Sequence, residues 1–184
     1  MQFGRRFAGD LRYEGLLVWV GGNWNGEGTV TVATNGVLQV VSGNDHDLAG
    51  HALVNLGRME RTGGRMRGGA GSVIRNEGTW EDATDAAINS DYGGLLSVRN
   101  TGLYRRTAGT GNMAIVADWN ESGRSVYEVG ATGFYASGSF AGTTVVAAGA
   151  SVTSRAATPS PPPTCFPAPG PPASPAGPSS STCR

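Results

Sequence analysis

Lysine is absent from this 184-residue chain, and proline and cysteine are absent from its first 157 residues. The 14 basic side chains are therefore all Arg. They balance 14 acidic ones, and a formal net charge of zero provides no overall field to attract a polyanion such as nucleic acid. Long apolar runs are missing too: none exceeds the five residues of Leu16 to Val20, against the roughly 20 that a membrane-spanning helix needs. Arg5 and Arg6 are followed by no apolar stretch of roughly 7–15 residues, so no secretory signal is visible.

All ten prolines follow residue 157, which divides the chain into two compositions. Residues 158–184 are mostly Pro, Ser, Ala, Thr and Gly with Phe166 as the only aromatic, too little apolar surface to offset the entropy of ordering. This tail is expected to be disordered, with polyproline II stretches such as 161–163, and to serve as a spacer, a linker or a ligand for a proline-reading domain. Cys165 and Cys183 both lie in it, and their spacing assigns no pairing.

The body shows no sustained apolar spacing at three and four residues, which argues against amphipathic helices. What recurs is a short apolar run, Asn, at most two residues, Gly and a second short run. It appears at Asn35-Gly36, Asn55-Leu56-Gly57, Asn76-Glu77-Gly78, Asn100-Thr101-Gly102 and Asn120-Glu121-Ser122-Gly123. The Asn positions lie 20, 21, 24 and 20 residues apart, and a near-constant period of that length marks a solenoid whose repeats stack on one another. Between Gly57 and Asn76, short segments are separated by Gly63-Gly64 and by Gly68 to Gly71, giving three brief strands per period with neither a Leu framework nor a helix-length segment. The expectation is an all-β chain: a parallel β-helix of five or six coils over 17–157, preceded by a lead-in or cap at 1–16 and followed by the tail at 158–184. Strands stacked about 4.8 Å apart would make a rod roughly 25–30 Å long. Asn and Gly suit corners that need positive φ, and in-register stacking would let Asn55, Asn76, Asn100 and Asn120 hydrogen-bond along the axis as an internal ladder. The lack of proline fits strands paired on both sides.

The stretch from Trp19 to Val32, the segment from Leu48 to Gly57 and the later Asn-x-Gly strands resemble β-helical repeat modules of large bacterial secreted and surface proteins, such as adhesin shafts and autotransporter passengers. The resemblance covers roughly residues 17–153. It implies a right-handed parallel β-helix, extracellular or cell-surface placement, and a structural or adhesive role with surface glycans or neighbouring solenoid modules as partners. It brings no catalytic residues and no cofactor.

Four groups of residues invite a chemical reading. Asn44-Asp45-His46-Asp47 with His51 puts two imidazoles and two carboxylates within eight residues, which suits a divalent metal but suits Asp-rich turn chemistry better, so no metal site is assigned. Glu81, Asp82, Asp85 and Asp91 fall in the 24-residue period, whose extra residues should bulge as a solvated loop; such a loop offers carboxylates to Ca²⁺ but lacks the repeat of calcium-binding coils. Arg58, Arg61, Arg65 and Arg67 crowd one coil, with Arg105 and Arg106 in a later one, and form a candidate patch for weak binding of an anion or a glycan. Trp19, Trp24, Trp80, Trp119, Tyr92, Tyr104, Tyr127, Phe134 and Tyr135 are mostly core residues or end caps of a narrow helix, with sugar stacking open to any that are exposed.

Three functions compete. A non-catalytic structural or adhesive segment comes first. A β-helix enzyme acting on acidic polysaccharides, a lyase or hydrolase, would need carboxylates and basic groups recurring on one face at the coil period. An ice-binding solenoid would need a rank of Thr-x-Thr in every coil, and only Thr29-Val30-Thr31 approximates one.

Overall fold

The structure, a computed structural model, describes residues 2–3 and 8–155. The tail at 158–184, with both cysteines, lies outside them. Among the described residues there is no helix, and the strands form a parallel β-solenoid of about seven turns. Every strand pairing is parallel.

Each full turn contributes strands to three faces. The first face stacks Gln2–Phe3, Leu16–Trp19, Val37–Val40, Arg58–Arg61, Thr79–Asp82, Leu103–Arg106, Arg124–Tyr127 and Thr143–Val146. The second carries Met66–Gly69, Ile88–Asn89, Asn112–Val116, Ala131–Phe134 and Ser151–Ser154, and the third Leu11–Tyr13, Ser72–Asn76, Leu96–Asn100, Asp118–Glu121 and Gly138–Phe140. In the early turns the long strands Gly22–Val32 and His46–Asn55 run through both of these faces, and their mutual register shifts between Asn25 and Gly28. Leu11–Tyr13 already pairs with Val30, Thr31 and Val32, so stacking begins ahead of residue 17, inside the expected lead-in. The five or six coils read from the repeat undercount the turns because the outer ones lack its Asn.

Period-two alternation sorts side chains between core and solvent. On the first face Leu17, Leu38, Met59, Trp80 and Tyr104 point inward and are fully buried, as are Val30, Leu53, Ile74 and Val98 on the third. Each such side chain contributes about 1.5–3 kcal/mol relative to exposure. Two aromatic clusters fill the axis. Trp19 and Trp24 stack at 3.9 Å between centroids with His46 edge-on to Trp19, and Trp80, Tyr104, Trp119, Tyr127 and Phe134 continue in tilted and edge-to-face contacts. In the last described turn Phe140, Val145 and Val146 are 37–44% exposed.

At the corner between the third and first faces, Asn55 Nδ2 donates to Asn76 Oδ1 at 2.7 Å, Asn76 Nδ2 to Asn100 Oδ1 at 2.6 Å, and Asn100 Nδ2 to both carboxylate oxygens of Glu121 at 2.9 and 2.8 Å. All four residues are buried. Each amide also donates to a carbonyl beginning the next first-face strand, Thr79 O, Leu103 O or Arg124 O. A carbonyl only accepts, so these bonds fix the orientation of every amide. Asn120 is not in this column. It pairs in register with Arg99 on the outer side, and Glu121, one residue on, pairs with Asn100 and ends the run by accepting its amide on both oxygens. The run starts where it does because Asn55 lies against Val32, which has no donor for Asn55 Oδ1. Asn76→Ala leaves Asn55 Nδ2 and Asn100 Oδ1 facing a methyl group, and denaturant titration is expected to show a loss of about 1–3 kcal/mol. An unchanged midpoint would remove the ladder from any account of stability.

Glycine at this corner serves a purpose other than the expected positive φ. Left-handed backbone occurs instead at glycines of the other two corners, such as Gly64 (φ 71) and Gly130 (φ 66) between the first and second faces and Gly71 (φ 74) between the second and third. Gly57, Gly78, Gly102, Gly123 and Gly142 lie one above another, and a Cβ on any of the last four would overlap the carbonyl oxygen of the preceding member.

Candidate functional site

The 61/82/106 column of the first face points into the core, and its three charged side chains, Arg61, Asp82 and Arg106, are 0% exposed. Arg61 grips Asp82 with Nε at 3.1–3.2 Å and Nη2 at 2.9 Å, and donates to Gly64 O and Ala86 O. Tyr104 donates its hydroxyl proton to Asp82 at 3.2 Å. Burial pushes the Asp82 carboxyl above the usual carboxylate range, while Arg61, the Tyr104 hydroxyl and Arg106 pull it back. Arg106 pegs the next corner by donating to Gly109 O, Gly111 O, Ala131 O and Thr132 Oγ1, and it meets Asp85 at 2.5 Å. These side chains close the corners from inside. The Arg61 of the expected basic patch is thus a core residue.

The rest of that patch is divided between two faces and neutralised. Arg58 meets Glu60 at 2.9 Å and Glu81 at 2.7 Å; Arg105 continues the outer row with Glu81 at 3.3 Å and Glu128 at 2.5 Å. On the second face Arg65 forks onto Asp45 with two bonds of 2.8 Å, and Arg67 onto Asp47 at 2.7 and 2.9 Å. The hydrogen bond from Arg65 holds the Asp45 carboxyl below the usual range.

The residues from Asn44 to His51 do not converge. His46 Nε2 lies 3.1 Å from Trp19 O and from Val41 O, both acceptors, so it carries the proton; burial depresses its pKa and keeps the ring neutral. Its other nitrogen faces Gly64, where even an added Cβ would overlap the ring. His51 is likewise buried, with Nδ1 3.3 Å from Gly26 O and a pKa lowered by burial. Among the described residues no group of three or more His, Cys, Asp or Glu is arranged to hold a metal ion.

The acidic stretch of the long period also disperses. Glu81 faces out between Arg58 and Arg105, Asp82 is buried, Asp85 accepts from Arg106 and from Gly111 N, and Asp91 accepts from Asn89. The extra residues enter in two steps, as the offset between paired residues grows from 21 at Asp82 against Arg61 to 22 at Ile88 against Met66 and 24 at Leu96 against Ser72. The second step carries Tyr92 outward, where Asn23 and Asn25 hydrogen-bond its hydroxyl and Arg67 lies 5.5 Å from its ring centroid. Of the nine aromatics singled out, Tyr135 is the exposed one and Tyr92 is half-buried; the other seven are core. Thr29 and Thr31 are followed in register by Ala52 and Val54, so no threonine rank continues below them.

One cationic pair escaped the reading of the sequence. Arg75 and Arg99 are exposed, in direct register on neighbouring third-face strands, and no carboxylate lies within ion-pair distance of either among the described residues. The signal was present, since each immediately precedes a ladder Asn. With Glu77 and Thr101 they line a depression of about 250 Å³. Comparison with known protein families, curated proteins and solved structures finds no match to this chain.

Proposed function

We propose that the chain is a non-catalytic structural or adhesive segment of an extracellular bacterial surface protein, with surface glycans or neighbouring solenoid modules as its partners. The observation that carries this reading is the use made of the carboxylates that stacking brings together. Glu81, Asp45, Asp47 and Asp82 each meet an Arg one turn away, Glu60 meets Arg58 on its own strand, and Glu121 ends the Asn ladder. Acid–base catalysis needs a proton donor or acceptor within reach of a bound sugar and a second group to stabilise developing charge, and side chains committed to one another serve neither role. The same commitments stiffen the stack, which suits a shaft. The resemblance of the repeat to bacterial shaft modules supports the surface placement.

The test is turnover. Incubated with polygalacturonate or alginate, with and without Ca²⁺, the protein is expected to release neither new reducing ends nor unsaturated products. Activity that disappears in Asp45→Ala would replace this reading with the polysaccharide-active enzyme.

A further inference from the structure

We propose that Arg75 and Arg99 form a binding site for the carboxylate of an acidic sugar within a polysaccharide, which deepens the adhesive reading above by naming its ligand class. Parallel register holds the two backbones about 4.8 Å apart, so the guanidinium groups start from adjacent positions on one flat face. The residues in register beyond them are Val54 and Asn120, neither of which carries a charge. Arg58, Arg65, Arg67 and Arg105, by contrast, each have a carboxylate within 3.3 Å. Two stacked cations without a counter-charge repel each other even in water, and an oxyanion bridging them removes that cost while accepting from both.

The other lining groups select the kind of anion. Thr101 supplies a hydroxyl and Glu77 a carboxylate at the edge of the depression. Glu77 opposes a small, bare oxyanion but accepts hydrogen bonds from the hydroxyls of a sugar whose own carboxylate sits on the arginines. A densely charged polymer such as nucleic acid needs a row of free cations to neutralise successive phosphates. This face offers two; the ion-paired arginines of the other faces add none, and Arg124 on the first face is a single cation rather than part of a row.

The experiment is calorimetric titration of the full chain with a galacturonate oligosaccharide, its methyl ester, inorganic sulfate and a DNA oligomer of equal length. Expected are binding of the acid, no binding of the ester, at least a tenfold weakening in both Arg75→Gln and Arg99→Gln, and no change in Arg124→Gln. Both exposed variants should keep the wild-type melting temperature. Equal binding of acid and ester, wild-type affinity in the two variants, sulfate competing as well as the sugar at equal concentration, or DNA binding more tightly would each overturn the proposal. None of these outcomes bears on turnover, so failure here leaves the non-catalytic reading standing, whereas turnover by the wild type would remove that reading whatever the arginines bind.

Discussion

Asp82→Ala is expected to cost about 3–5 kcal/mol, because it leaves the Arg61 guanidinium buried and fully desolvated without its counter-charge. The Tyr104 hydroxyl loses its acceptor in the same step. A folded chain of this size has only about 5–15 kcal/mol in hand, so the variant should melt far earlier or fail to fold. The informative comparison is the double replacement Arg61→Met with Asp82→Leu. Removing both charges spares the fold the unpaired ion, and the double variant should be more stable than Asp82→Ala alone, though Gly64 O and Ala86 O lose a donor. Denaturant titration of the cycle measures this. A double variant as damaged as the sum of the singles would mean that the pair is not coupled.

Gly102→Ala should be as severe. Its Cβ would lie closer to Gly78 O and to the Glu77 carbonyl than the roughly 3.0 Å that real Cβ atoms keep, and those atoms are backbone held in the turn below. No rotamer relieves such a contact; the two turns must separate, at a cost of about 3 kcal/mol or more. Gly43→Ala is the control, since nothing lies within 4 Å of its Cβ and its φ is not left-handed. It should be neutral or stabilise by about 0.4–1 kcal/mol through the unfolded chain. Equal melting temperatures for the two variants would show that the stack is looser than the column of glycines implies.

The period carried most of the fold. Asn55, Asn76 and Asn100 stand in one column because a near-constant spacing between like residues is what in-register stacking writes into a sequence. The next step of the ladder was hidden because the column exchanges Asn for Glu121, and the nearby Asn120 looked like its continuation. The glycines were legible as corners, but the reason for them was not: close approach and positive φ select the same residue. Arg61, Asp82 and Arg106 were misplaced for a different reason. Alternation from Met59, Trp80 and Tyr104 puts all three inside, but charged residues are so seldom buried that their type outweighed their position. The cationic pair was missed because crowding along the chain drew the eye to Arg58 through Arg67. In a solenoid the neighbours that matter lie one turn away, as Arg75 and Arg99 do.

That one-turn offset also governs how the structure can arise. Paired residues are separated by 16 to 27 positions, and no strand pairs with the one that precedes or follows it on the chain within a turn. Among the described residues no hairpin exists to form early, and the first contact must close a loop of about twenty residues before any ladder bond repays it. Once two turns have closed, each further turn adds the same loop cost and gains a full set of strand pairings against a template already in place. Assembly is therefore expected to be a slow nucleation followed by growth along the axis, one turn at a time.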